Sequence, residues 1–255
     1  ARLTSASESV ALPRPADLSE LAIVVFLFES CFVPTIDPLY FRAAQILHKL
    51  QFKFRITRTS GFDMRIEPKT PGGYPWYLKP FFWSQKRRYG EVLLPGLLWG
   101  RVPRLFMTVA MLYGALDARR SQLDPVLRSL LTVRVSQLNW CRFCVDINSA
   151  TLARRAGSMA KVEALEEWRT SDLYSAPERA ALDYTEAMTI TGRGVTDELM
   201  TGLRRHYTDD AIIELTALIA FQNLSSKFNS ALDVPPQGFC RLPTVPPDRR
   251  DDRAS

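Results

Sequence analysis

The chain has 255 residues, 46% of them hydrophobic, 24% charged and 11% aromatic, with 12 Gly and 17 Pro. Such a composition supports a substantial core in one or two domains and excludes collagen-like, low-complexity and wholly disordered chains. The formal net charge of +6 is concentrated: residues 41–90 hold eleven Lys or Arg against Asp63 and Glu67, a local +9 that leaves the remainder at −3. A stripe of this kind meets solvent or an acidic protein partner. No nucleic-acid-binding motif accompanies it, so no nucleic-acid partner is expected.

In chain order, residues 1–18 are polar and Pro-punctuated and read as a mobile leader, with neither the apolar region nor the cleavage site of a signal peptide. Leu21 to Phe28 is apolar, too short to span a bilayer, and reads as a buried strand. A helix from Pro38 to Leu50 and a second strand from Phe52 to Ile56 complete a small β-α-β-like unit over residues 19–66. Residues 67–80 carry four prolines and two adjacent glycines and read as a connector. The aromatic run Tyr74 to Trp83 suits packing or an oligomer contact better than a binding platform. Val92 to Leu116, broken by Pro95 and Pro103, reads as two core helices and not as a membrane span.

Helical signals then dominate, and a helical domain is expected over residues 81–235, followed by an extended tail over residues 236–255. Asp124-Pro125 supplies an N-cap and a first-turn proline. A helix from about Cys141 to Ala156 ends at Gly157, and Ser175-Ala-Pro-Glu178 is a capping box. Thr196 precedes Asp197 and Glu198, and Thr208-Asp-Asp opens a long helix towards Leu232. The fold class is therefore mainly α.

Four cysteines are too few to staple a secreted mini-protein, so a cytoplasmic location is expected. Cys141 and Cys144 lie three residues apart at a helix start, near enough for a reversible disulfide. The helix N-terminus and Arg142 both favour a thiolate there. Two buried small hydrophobes on a packed helix are the bland reading of the same residues. A structural zinc site needs four ligands, which His48, His206, Cys31 and Cys240 would supply only by converging from distant regions, so neither a metal nor a cofactor is expected.

Three segments carry a resemblance: LDPVLRSLLTVRVSQLNWCRFCVDINSATLARRAG, YSAPERAALDYTEAMTITGRGVTDELMTGL and DDAIIELTALIAFQNLSSKFNSALDVPP. Together they resemble the carboxymuconolactone decarboxylase and alkylhydroperoxidase D-like superfamily over about residues 81–237. The resemblance implies an alkylhydroperoxidase D-like helical bundle, a homo-oligomer, and peroxide reduction or disulfide exchange in the CxxC branch. It makes Cys144 the peroxide-reactive thiol and Cys141 the resolving one. The family's relay glutamate and histidine fall on Ser129 and Asn148, neither of which takes up a proton near neutral pH. Asn148, one turn beyond Cys144, retains the capacity to hydrogen-bond a sulfur or a substrate oxygen. The N-terminal unit is more faintly similar to cysteine-rich domains of heterodisulfide reductase-like iron–sulfur proteins. Thr59-Ser60-Gly61 stands where those carry paired cysteines, so cluster ligation is not expected.

The leading reading is a thiol-disulfide oxidoreductase or peroxide reductase, with a peroxide or disulfide substrate and a dithiol reductant. One alternative is a non-catalytic subunit or assembly protein that docks through its basic N-terminal region; another is decarboxylase-like lactone chemistry. The enzymatic reading expects both sulfurs to be reachable from solvent.

Overall fold

The computed structural model describes residues 64–240. The expected leader, the β-α-β-like unit up to residue 63 and the tail beyond residue 240 lie outside the described residues. Within them the elements are α1 (Lys79–Tyr89), α2 (Leu94–Gly100), α3 (Pro103–Leu116), α4 (Pro125–Leu138), α5 (Arg142–Ala156), α6 (Ala160–Glu163), α7 (Ala176–Thr189), α8 (Asp197–Arg204) and α9 (Asp209–Ala231), with short 3-10 turns at Pro71–Gly73, Trp76–Leu78 and Leu165–Glu167. No strand occurs among the described residues. No described helix is long and apolar enough to cross a membrane.

Local chemistry fixes the helix ends. Asp124 Oδ1 accepts from the backbone N–H groups of Val126 and Leu127, opening α4. Ser175 and Glu178 cap α7 reciprocally, while Thr196 and Thr208 accept from Leu199 and Ala211 to start α8 and α9. Each such cap stabilises its helix by about 1 kcal/mol. Gly90 and Gly157 close α1 and α5 in the left-handed conformation, at φ 85° and 69°.

The central helix is α4, packed on α5, α7 and α9. Its Leu127, Leu130, Leu131, Val133 and Val135 are buried, as are Arg128, Ser129 and Ser136. Burial all round explains why its sequence lacks a single apolar stripe. A second cluster joins the 67–80 segment to α1, α2 and α3 through Tyr74, Leu78, Phe82, Leu97 and Phe106. There the Tyr74 hydroxyl accepts from the Lys69 N–H and donates to the Leu97 carbonyl. Gly100 lies under these rings: a Cβ there would stand 3.1 Å from Phe82 and 3.3 Å from Tyr74.

One expectation fails in part. Val92 to Leu116 does form two helices, and α2 is largely buried. By contrast, α3 buries only Phe106 and Gly114 and exposes Leu105, Met111, Leu112 and Tyr113. An apolar sequence is a poor guide here because its hydrophobic residues surround the helix instead of lying on the core side alone.

Glu186 of α7 ties the bundle's flank together. Its Oε1 accepts from Arg134 Nε and Nη2 at 2.9 and 2.6 Å and from the Trp168 indole at 2.9 Å. Its Oε2 accepts from Arg169 at 2.7 Å and Arg193 at 2.9 Å. Burial alone would raise its pKa, but the bonds from Arg169, Trp168 and Arg134 outweigh burial and hold the carboxyl at about 2. Since the folded value lies below the ordinary 4.5, the stabilisation is complete above about pH 4.5 and is lost as pH falls towards 2. Glu186→Gln is expected to cost about 3 kcal/mol at neutral pH and to flatten the acid limb of stability, as read from urea unfolding midpoints between pH 3 and 7.

Candidate functional site

The turn between α4 and α5 builds the site. Asn139 and Trp140 close α4 by donating their N–H groups to the carbonyls of Val135 and Gln137, and Cys141 N–H returns to Ser136 at 3.0 Å. Trp140 adopts φ 55°. Its indole is 87% exposed, so the ring leaves the chain free to reverse within two residues. Asn139 Nδ2 donates to Asn223 Oδ1 and Ser226 Oγ, both at 2.8 Å, and Ser230 Oγ donates to the Asn139 carbonyl at 2.9 Å. The turn is thereby pinned to α9.

Cys141 is the N-cap of α5, and its sulfur accepts from the Cys144 N–H at 3.2 Å. The two sulfurs are joined as a disulfide, with Cα atoms 5.2 Å apart. Both cysteines are buried, Cys141 at 1% and Cys144 at 2% exposure. Leu98, Phe143 and Val234 surround them, with Met64, Ile147, Phe228 and Phe239 packed outside. The expectation of solvent-reachable sulfurs is thus overturned for this conformation.

The cover is the segment after α9. Val234 N–H donates to the Asn229 carbonyl. Asp146, on the helix of Cys144, then accepts three backbone N–H groups: Gln237 at 2.9 Å and Gly238 at 2.7 Å on Oδ2, and Cys240 at 2.7 Å on Oδ1. The Gln237 side chain accepts from Leu94 N–H and donates to the Val92 carbonyl. Phe239 meets Phe143 edge-on. This strap holds residues 232–240 across the disulfide.

The expected supporting residues make the following bonds. Arg142 directs its guanidinium to Asp233 at 2.8 Å, in an exposed ion pair. Asn148 Nδ2 donates to Ser136 Oγ at 3.1 Å. Ser129 Oγ donates to the Pro125 carbonyl and accepts from Arg155 at 2.9 Å. Tyr184 pairs with Thr216, and His206 is exposed. His48 and Cys31 lie outside the described residues.

Asn229 of α9 meets the disulfide directly: its Nδ2 donates to Cys144 Sγ at 3.3 Å. Its Oδ1 is buried without a partner. Asn229 continues a polar row, Gln222, Ser226 and Asn229, along the buried face of α9. Gln222 donates to Ser136 Oγ at 3.0 Å, so the row runs from the Asn148 contact to the disulfide. Their spacing of four and three residues places all three on one face of α9, which is the signal the sequence carries.

The carboxymuconolactone decarboxylase family model matches residues 103–187. The uncharacterized protein YnjA of Escherichia coli (strain K12) is 50% identical over 169 residues, which are 66% of this chain and 93% of YnjA. The chain belongs to the carboxymuconolactone decarboxylase and alkylhydroperoxidase D-like superfamily. Among solved structures, debrominase Bmp8 is similar at 27% identity and a TM-score of 0.60, covering 68% of this chain and 91% of its own. An alkylhydroperoxidase AhpD core protein from Ralstonia eutropha JMP134 shares the fold, at a TM-score of 0.63 and 21% identity over 69% of this chain and 94% of its own. The closely spaced Cys141–Cys144 pair thus sits in a chain of this superfamily.

Asn229 gives a direct test of the sulfur environment. A donor to sulfur stabilises thiolate over thiol, by more than a neutral hydrogen bond does. In the reduced protein, Asn229→Leu is expected to move the pH midpoint of Cys144 alkylation upward by about one unit, measured by mass spectrometry of iodoacetamide adducts.

Proposed function

We propose that the chain is a thiol-disulfide oxidoreductase of the peroxide-reducing kind, in which Cys144 attacks and Cys141 resolves. The carrying observation is the joined sulfur pair on the first turn of α5, with the Asn229 amide on Cys144. In the peroxide reaction, the Cys144 thiolate takes one oxygen of ROOH to form a sulfenic acid. The other oxygen leaves as alkoxide and takes a proton from water. The Cys141 thiol then displaces hydroxide, which leaves as water after protonation, and forms the disulfide. An external dithiol returns both sulfurs to thiols and is itself oxidised.

Ser129 and Asn148 move no proton near neutral pH, so water admitted with the substrate serves that step. Turnover therefore requires the strap to open. Bmp8 extends the range of possible substrates, since a cysteine-to-alanine variant of it was solved in complex with 2,3,4-tribromopyrrole. The exposed apolar residues Leu105, Met111 and Leu112 on α3 support assembly as a homo-oligomer.

Burial of both sulfurs favours a second reading, a non-catalytic or assembly protein whose disulfide is structural. Two measurements separate the readings. Wild-type protein is expected to consume peroxide in the presence of a dithiol and Cys144→Ser to lose that activity; equal rates would remove the enzymatic role. Asp146→Ala frees three N–H groups from their carboxylate and is expected to speed dithiol reduction of the disulfide by about tenfold, a change of about 1.4 kcal/mol in strap opening. Labelling of Cys141 and Cys144 over time reads that rate, and an unchanged rate would show that the strap is no barrier.

A further inference from the structure

The Asn229 amide is half satisfied. Its Nδ2 donates to Cys144 Sγ at 3.3 Å, while its Oδ1 is buried with no hydrogen-bond partner among the described residues. The side chain is 1% exposed, so bulk water does not reach the oxygen. A buried carbonyl oxygen without a donor is costly, and its partner has to come from within the site.

The oxidation state of the sulfurs decides what they offer that amide. A disulfide carries no hydrogen, so it takes an N–H and gives the oxygen nothing. A reduced pair that retains one proton presents a thiolate, which accepts, and a thiol, which donates. One primary amide matches both at once, through Nδ2 and Oδ1. The surroundings leave this role to Asn229. Leu98, Phe143 and Val234 around the sulfurs are apolar, Arg142 turns to Asp233, and Asp146 is engaged by the strap. The Cys144 N–H donates to Cys141 Sγ at 3.2 Å and adds a donor, not an acceptor.

We propose that Asn229 sets the reduction equilibrium of the pair by holding its half-protonated dithiol, with Nδ2 on the Cys144 thiolate and Oδ1 accepting from the Cys141 S–H. This rests on reading the pair as one that opens to thiols. In that step a dithiol reductant loses two electrons and two protons and closes its own disulfide. The Cys141–Cys144 bond breaks and takes both electrons; one proton stays on Cys141 and the other goes to water. The S–H so formed is the donor that Oδ1 lacks in the oxidised protein. The amide therefore favours the open pair over the disulfide.

The test is the equilibrium of the full chain with dithiothreitol, quenched by acid and read by mass spectrometry of alkylated thiols. Asn229→Leu, close in size, removes donor and acceptor together and is expected to lower the equilibrium constant for reduction about tenfold. Asn229→Asp keeps an acceptor and drops the donor; it is expected to be at least as reducible as wild type, while iodoacetamide attack on Cys144 slows. Urea unfolding of each oxidised variant reports its fold, and Asn229→Leu is expected to lose more stability reduced than oxidised. An unchanged constant in Asn229→Leu, or an equal fall in Asn229→Asp, would overturn the proposal. Wild-type protein that equilibrates with dithiothreitol yet consumes no peroxide would remove the peroxide reaction and leave this role standing, whereas a disulfide that dithiothreitol does not open in the folded chain would overturn both.

Discussion

A chain reversal within two residues, at Asn139 and Trp140, is the constraint on which the rest of the site depends. It brings the start of α5 back along α4, with Trp140 in the left-handed region at φ 55°. A bulky residue in that region stores about 1 kcal/mol or more of backbone strain. The offset comes from the side chains around it. Asn139 bonds two residues of α9, and Ser230 of α9 bonds back to its carbonyl. The reversal therefore sets the position of Cys141 as N-cap and, one turn later, of Cys144 against Asn229. Disturbing α9 at Ser226 or Asn223 would reach the sulfurs without touching them.

The centre combines two demands that conflict. Thiol chemistry needs a path for a substrate and a proton donor, yet the disulfide lies under residues held by Asp146. A carboxylate that accepts three N–H groups is a strong clasp, but one built on a loop, where local opening is less costly than in a helix. The polar row on α9 matters for the same reason. In a low-dielectric interior, one amide aimed at sulfur has a larger effect than it would in water. That amide belongs to Asn229, whose Nδ2 donates to Cys144 Sγ.

Much of the helical architecture was legible in the sequence because short-range rules govern it. Asp124, Ser175, Thr196 and Thr208 announce helix starts by what their oxygens do for nearby N–H groups, and Gly157 announces an end. The cysteine pair was legible for the same reason. The features hidden from these rules depend on residues far apart in the chain. Glu186 reads as one acid among many until Arg134, Trp168, Arg169 and Arg193 converge on it. Asp146 reads as one more acid on α5 until the returning strap brings the N–H groups of Gln237, Gly238 and Cys240 to it. Arg142 likewise finds its acid, Asp233, far along the chain, in an exposed ion pair. The outward apolar residues of α3 read as core in the sequence because composition reports hydrophobicity without direction.

The solvent-facing indole at the reversal has an optical consequence. Trp140 is one peptide bond from Cys141 and is almost fully hydrated. A neighbouring disulfide quenches indole emission by accepting an electron from the excited ring, and two thiols do so far less. Opening and closing of the sulfur–sulfur bond should thus be visible as a change in native fluorescence, without any added dye.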